Sequence, residues 1–218
     1  MRKITALVVI LIITVVAGLA TLDGTAYDQR RIVKGVDFSG QTISPCDFSN
    51  TDIWNSSFDA ANLEACNFSN ARIYDSSFRG SVLSFSRFPN AKIIKSTFSS
   101  SNLTFADFSD ATMLKNNFNK SRLSSALFAG TILTSNRGTR LIGDKTVMVA
   151  TLRDRNKFQW VTFHDRLDYD AILADPARLI EPARRGFQAR RDAAWQARVQ
   201  VMKSAATSRR DDIRWKAK

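Results

Sequence analysis

The sequence predicts a mainly β solenoid over residues 36–135, in which the chain turns a corner every five residues. Every fifth residue from Phe38 to Leu133 is bulky and apolar, through twenty consecutive pentads with no slip in register. The residue two positions before each of these is mostly Ala, Ser or Cys. A period of five matches neither the helix, with about 3.6 residues per turn, nor the strand, with about two. One large and one small side chain are therefore expected to face inward on each side of a coil.

Single pentads within this stretch carry a family resemblance. Residues 61–65 read Ala-Asn-Leu-Glu-Ala, and residues 106–110 read Ala-Asp-Phe-Ser-Asp. They resemble the pentapeptide-repeat family, whose repeat is roughly Ala, then Asp or Asn, then a Leu or Phe centre and two variable residues. The resemblance covers residues 36–135 and implies a right-handed quadrilateral parallel β-helix with four pentads per coil and about five coils.

The order of the pentad centres agrees with a coil of twenty residues. Phe holds every odd centre, and Ile, Leu or Met holds every even one. With four sides per coil, two opposite sides are then expected to carry only Phe and the other two only aliphatic residues. Coils stacked at about 4.8 Å, as neighbouring parallel strands are, give a rod roughly 24 Å long.

Residues 1–26 are predicted to be a secretory signal peptide or an uncleaved transmembrane anchor. Arg2 and Lys3 precede an uncharged run, residues 4–22. At about 1.5 Å per residue a helix of this length spans roughly 28 Å, close to the hydrocarbon core of a bilayer, which favours an anchor. Gly18 and Ala20 offer a site for cleavage instead. Residues 27–35 are interpreted as a linker or N-terminal cap of the solenoid.

The flanking charges predict the orientation of this segment. The basic residues lie before the apolar run, and Asp23 and Asp28 follow it. Because positive charge is retained on the cytoplasmic side, we expect the N-terminus in the cytoplasm. The solenoid would then lie outside, membrane-anchored in a bacterial periplasm, or secreted if the N-terminal segment is removed.

The charge distribution separates the solenoid from the tail. Residues 36–135 hold eight basic and eight acidic residues, whereas residues 136–218 hold nineteen and ten. Pentapeptide-repeat proteins that imitate duplex DNA and block gyrase require a strongly acidic surface, and a neutral rod does not provide one. The tail carries charge but no nucleic-acid recognition motif, and an exported location conflicts with nucleic-acid binding. A cytosolic topoisomerase inhibitor or nucleic-acid-binding protein of this family is therefore the alternative hypothesis.

One outward column of the predicted solenoid is apolar. It contains Trp54, Tyr74, Ile94 and Leu114, one residue per coil. The interior does not need these side chains, because the pentad centres already fill it, and contiguous exposed apolar surface marks an interaction site. Three interpretations remain open: the column is covered by the chain's own C-terminal segment, it docks a protein partner or a second copy, or it is a chance alignment.

Cys46 and Cys66 occupy the same inward small position in successive coils. Their Cα atoms are expected roughly 4.8 Å apart, within the range of a disulfide, and an oxidising compartment would permit the bond. In-register parallel strands point both Cβ atoms the same way, so two reduced thiols remain the alternative. A metal is not expected there, because no His lies nearby to complete a site.

Residues 136–170 are predicted to form a capping hairpin and loop. The runs 146–152 and 158–163 are rich in β-branched and aromatic residues and flank a charged segment, which is typical of a β-hairpin. Asn136 is assigned to the loop that ends the repeat.

Residues 171–218 are predicted to form a basic helix. Asp175 and Pro176 suit its start. Four apolar residues fall near one face: Phe187, Trp195, Val199 and Met202. This face is expected to pack on the solenoid or on a partner. An anionic membrane surface is a second potential partner of a basic amphipathic helix.

The sequence contains no motif of an enzyme. No nucleophile elbow, Walker loop, dinucleotide-binding glycine pattern or metal-ligand cluster is present, and the acids of the repeat are scattered on a convex rod. Catalysis would require a cleft around His164, the one histidine. We therefore predict a non-enzymatic protein that works without a cofactor as a protein-binding or structural module, tethered to a membrane or exported. Such a module suits an accessory subunit of a membrane complex.

Overall fold

The computed structural model describes residues 30–142, 152–154, 156–162 and 183–201. One helix, α1, occupies residues 183–201. The strands are β1 (Arg31–Lys34), β2 (Thr51–Trp54), β3 (Arg72–Tyr74), β4 (Lys92–Ile94), β5 (Thr112–Leu114), β6 (Ile132–Thr134), β7 (Arg137–Ile142), β8 (Leu152–Asp154) and β9 (Lys157–Thr162).

Strand pairing confirms a parallel solenoid with a coil of twenty residues. Strands β1 to β6 pair in chain order and β8 pairs with β6, so that Ile53 lies beside Ile73 and Ile93 beside Met113. Isolated parallel bridges on the other sides, such as Ser57 with Ser77, have the same separation. Each coil therefore leaves its backbone groups to pair with the next coil, which is the way a solenoid satisfies its backbone.

The core consists of the pentad centres, and Phe stacks in two columns as predicted. The rings of Phe58 and Phe78 have centroids 4.7 Å apart and are nearly parallel, and those of Phe68 and Phe88 are 4.8 Å apart. The two columns meet edge to face, with Phe58 and Phe68 at 6.5 Å. Both arrangements are favourable for aromatic quadrupoles and add to the burial of the rings.

The corners of the coil are formed by residues with left-handed backbone. Asn50, Asn70, Asn90 and Asp110 line up at one corner and all have φ between 52° and 57°. Asn and Asp tolerate this region because their short side chains bond locally to the backbone. Gly130 continues the column with φ of 70°. A corner every five residues gives the coil its four sides.

A column of polar side chains runs through the interior at the small inward position. Ser56, Ser76 and Ser96 hold it in the first coils, and Asn116, Asn136 and Asn156 hold it in the later ones. Each side-chain oxygen accepts a hydrogen bond from the backbone N–H one coil earlier, at 2.8 Å where the acceptor is Asn. The buried polar groups are thereby paired, as burial requires.

The solenoid begins earlier than the sequence analysis placed it. Residues 31–34, assigned to a linker, form β1, which pairs with β2 in the twenty-residue register. Val33 is 3% exposed and lies five residues before Phe38, so it serves as one more pentad centre. Val33 therefore extends the same apolar period toward the N-terminus.

The predicted capping hairpin is wrong for the part of it that the structure describes. Strands β8 and β9 do not pair with each other; β8 pairs in parallel with β6, and β9 in parallel with β7. β-Branched and aromatic runs suit parallel coil strands as well as hairpin strands, and here the twenty-residue register decides between them. The solenoid thus continues past residue 135 into a further coil.

Asn136 is part of the solenoid and not of a loop. It is 1% exposed, and its side-chain amide donates to the carbonyl of Met113 at 2.9 Å. Two residues later Gly138 takes the position of a pentad centre, and the buried Leu141 side chain fills the space beside it. The register irregularity of β7 between Gly138 and Leu141 accompanies this substitution.

Several predictions concern residues outside those described. They include the apolar segment 4–22, the start of the C-terminal helix at Asp175 and the end of the basic tail. Within the described ranges, no helix has the length and apolar character needed to span a bilayer.

Candidate functional site

The predicted docking column lies on one flat side of the solenoid, here called the strand face because it is formed by β1–β6 and β8. Trp54, Tyr74, Ile94 and Leu114, here called the docking strip, follow one another at one residue per coil. Trp54 is 37% exposed and the other three are half-buried. The rings of Trp54 and Tyr74 stack with centroids 4.0 Å apart.

Other exposed apolar side chains lie on the same face. Ile32 is 59% exposed at one end of the strand face, and Ile132 is 41% exposed toward the other. Among the described residues, Val82 and Val201 are the remaining large apolar side chains of comparable exposure. The exposed apolar surface of the described chain is therefore concentrated on the strand face, as an interaction surface requires.

The C-terminal helix covers a different side of the solenoid. Its buried Phe187 packs with Leu127 and Ala129 and against Phe105, and Trp195 meets the ring of Phe85 edge to face at 5.3 Å. The side that carries Leu127 and Ala129 is here called the helix face. For the described part of the tail, the interpretation that the chain's own C-terminal segment covers the docking strip is therefore wrong.

Polar contacts fix the position of α1 along the rod. Arg184 pairs with Asp110 at 2.5 Å, and Arg198 pairs with Glu64 at 3.3 Å. Between them Arg191 donates to the backbone carbonyl of Phe85 at 2.6 Å. Burial, and secondarily the charge of nearby Arg87, lower the pKa of the Arg191 guanidinium. The helix thus runs along the stacked coils and crosses several of them.

The contact of α1 with the solenoid could be predicted only in part from the sequence. Phe85 and Phe105 occupy corner positions with φ of 61° and 58°, where Asn or Gly is the usual choice. Two Phe residues in the left-handed region at successive corners are therefore an anomaly, and their contact with α1 accounts for it. Phe187 and Trp195 pack on the solenoid as their shared helix face predicts, but their position on the solenoid could not be predicted from the sequence.

An open cleft of about 340 Å³ lies where α1 meets the helix face. Arg87, Arg184 and Arg185 line it together with Asp107 and Asp110. Arg184 is paired with Asp110, so the charges of the cleft partly neutralise one another. The described residues contain no group of three His, Cys, Asp or Glu side chains placed to hold a metal ion. His164 lies outside the described residues.

Cys46 and Cys66 form a disulfide between the first two coils, with their Cα atoms 4.6 Å apart. Cys66 is fully buried and Cys46 is half-buried. Next to the bridge, hydrogen bonds from Ser49 and the charge of Arg31 lower the pKa of Asp47, although partial burial opposes them. The bond closes a loop of twenty residues and ties the N-terminal edge of the solenoid to the coil beneath it.

Comparison with known proteins gives a consistent result. The sequence profile described as Pentapeptide repeats matches residues 46–84, with eight copies. No curated protein sequence matches the chain.

Several solved structures are similar to the chain. One is a pentapeptide-repeat protein from the cyanobacterium Cyanothece 51142, with TM-score 0.39 and 15% identity over 59% of this chain and 91% of that one. Another, from the Arabidopsis thaliana thylakoid lumen, has TM-score 0.36 and 29% identity over 51% of this chain and 77% of that one.

Proposed function

We propose that this chain, a solenoid that contains pentapeptide repeats, is a non-enzymatic docking module for a protein partner. The observation that carries the proposal is the docking strip on the strand face. The chain's own helix packs on another side of the solenoid, so α1 leaves the strip open. A scaffold whose described part leaves one apolar strip uncovered, and offers no enclosed site within the described ranges, suits recognition and not catalysis.

We further propose that residues 4–22 tether the solenoid to a bacterial membrane, with the repeat outside the cytoplasm. The length of the apolar run and the basic residues before it support this location. The disulfide between Cys46 and Cys66 is in keeping with an oxidising compartment. In this role the chain would act as an accessory subunit that holds a partner close to the membrane.

The docking strip is tested by replacing both aromatic residues. Trp54→Ser with Tyr74→Ser is expected to abolish capture of the partner from solubilised membranes. Loss of two aromatic anchors typically costs about 4 kcal/mol of binding, roughly a thousandfold in affinity. Val82→Ser is the matched control, because Val82 is 37% exposed like Trp54 but lies on another side of the solenoid. Circular dichroism of the variants should retain the β spectrum of the wild type.

If the double variant captures the partner as well as the wild type does, the docking strip is not the interface. Location is tested separately by fractionating cells that express the full chain. We expect the chain in the membrane pellet. Recovery in the soluble cytoplasm would contradict the tether and would favour a cytosolic topoisomerase inhibitor or nucleic-acid-binding protein.

A further inference from the structure

We propose that the partner of the strand face is an acidic amphipathic helix, an inference that rests on the proposed docking function. The first observation is the charge beside the docking strip. Lys92, Lys95 and Lys115 are exposed next to Ile94 and Leu114. None of the three lysines has an ion-pair partner within the part of the chain that the structure describes.

The described acids of the strand face form no ion pair with these lysines. Asp52 is half-buried and is engaged by Arg30 at 2.5 Å and by Arg72 at 3.7 Å. Asp75 lies at the corner after Tyr74, and Asp110, at the corner before β5, is paired with Arg184 of α1. The half of the face that carries Ile94 and Leu114 is therefore both apolar and cationic. A surface of this kind favours an acidic partner. Complementary charge speeds association, and it disfavours partners whose surface carries the same charge.

The same charges argue against a second copy of this chain. A two-fold symmetric dimer uses one surface patch on both subunits. Pairing two strand faces through the strip would bring the lysines of both copies into one interface. Like charges placed together in this way disfavour association. A partner with its own apolar stripe and flanking Glu or Asp residues avoids that repulsion.

The shape of the strip favours a helix over a membrane surface. The strip is one residue wide, and Tyr74, Ile94 and Leu114 are half-buried, so little apolar area projects for insertion into lipid. Membrane binding by an amphipathic surface depends on the apolar area that is buried. A helix, in contrast, places side chains along one stripe at about 5–6 Å intervals, close to the ~4.8 Å spacing of the coils.

The molecule already contains an example of this geometry. On the helix face, α1 lies along the rod with Phe187, Arg191 and Trp195 at four-residue intervals. Phe187 packs near Leu127 and Phe105, and the other two contact Phe85. That helix is basic and pairs with acids of the solenoid, Asp110 and Glu64. The strand face is cationic beside the docking strip. An acidic partner helix would therefore fit it in the same way as the basic α1 fits the acids Asp110 and Glu64.

The experiment is capture from solubilised membranes with the full chain and four variants. They are the wild type, Trp54→Ser/Tyr74→Ser, Lys92→Glu/Lys95→Glu/Lys115→Glu, the corresponding triple Gln variant, and Val82→Ser. The captured protein is identified by mass spectrometry, and a synthetic peptide spanning its acidic amphipathic helix is added as competitor. We expect the triple Glu variant to lose roughly tenfold or more in apparent affinity, the triple Gln variant to lose less, and the peptide to displace the partner.

The outcomes separate this inference from the docking function itself. If capture is lost in the aromatic variant but survives charge reversal, or if no acidic helix competes, the acidic partner is wrong and the docking strip stands. If capture survives in both variants, or if nothing is captured, the docking function is wrong as well. Vesicles of phosphatidylcholine and phosphatidylglycerol that bind the wild type and not the triple Glu variant would identify a membrane surface instead. Concentration-dependent self-association that is lost in the aromatic variant would identify a second copy, and either result overturns the inference.

Discussion

At the scale of single residues, Asn116 shows how a polar side chain is tolerated inside the core. It is fully buried, its side-chain oxygen accepts the backbone N–H of Ser96 at 2.8 Å, and its side-chain nitrogen donates to the carbonyl of Ile93 at 2.9 Å. In the sequence it is one of a few exceptions at a position mostly held by Ala, Ser or Cys. The structure explains it, because the longer amide reaches the preceding coil and pairs two of its backbone groups.

Asn116→Leu is expected to lower the free energy of unfolding by about 2–3 kcal/mol. The substitution removes the acceptor of the buried Ser96 N–H and the donor to Ile93, and an unpaired buried backbone group is costly. Asn116→Ser is the control, because Ser96 and Ser76 hold the same position one and two coils earlier, and it should cost about 1 kcal/mol. Chemical denaturation followed by circular dichroism measures both values. Equal losses in the two variants would contradict the role of the amide.

At the scale of elements, α1 is held on the solenoid mainly by apolar contacts at two points. Phe187 is 1% exposed against Leu127 and Ala129, and Trp195 contacts Phe85. The ion pairs with Asp110 and Glu64 are partly exposed, so solvent screening reduces their contribution. The helix should therefore be able to detach without unfolding the solenoid, whose coils are stabilised by pairing with one another.

Phe187→Ala is expected to release α1 while the coils stay folded. Truncating a buried Phe costs about 3–5 kcal/mol, a large share of what holds a helix that touches the solenoid along one edge. Hydrogen exchange of residues 183–201 should rise strongly, with little change in the strands. Gln188→Ala, at the exposed neighbouring position, is the control and should leave exchange unaltered. Unchanged protection in Phe187→Ala would show that other contacts dominate.

The elements also show where sequence reasoning succeeds and where it fails. The Phe columns were predictable, because each Phe is fixed by an internal period and needs no knowledge of distant residues. The docking of α1 was not, since the contact of Trp195 with Phe85 joins segments that share no repeat. The hairpin was mistaken for a related reason: β8 and β9 have the composition of strands, but their partners β6 and β7 follow from the coil and not from local pattern.

At the scale of the whole molecule, stability is distributed along the axis of the stack. Each coil contacts its neighbours alone, so the coils at the ends are the least protected, as in other solenoids. The disulfide between Cys46 and Cys66 lies near the N-terminal end, where Ile43 and Val36 are only half-buried. It links the end coil to the one that follows.

Replacing both cysteines, Cys46→Ser with Cys66→Ser, is expected to open the first coil preferentially. Removing a bridge that closes a loop of this length lowers stability by about 3 kcal/mol. Hydrogen exchange within residues 31–50 should accelerate, while residues 93–113, two coils or more away, serve as the internal control. Acceleration spread evenly over the solenoid would contradict the nearest-neighbour description. Reduction of the wild type should reproduce the effect of the variant.

The twenty-residue coil restricts how such a protein can change its length during evolution. Duplication of four consecutive pentads adds one coil and leaves every outward column in line, so a docking surface becomes longer. Insertion of a single pentad between Tyr74 and Ile94 rotates all later side chains by a quarter turn and places aliphatic centres above Phe. Trp54 and Tyr74 would then no longer share a face with Ile94 and Leu114. Related proteins that stay folded should therefore differ in length by whole coils, and should gain or lose recognition surface one coil at a time.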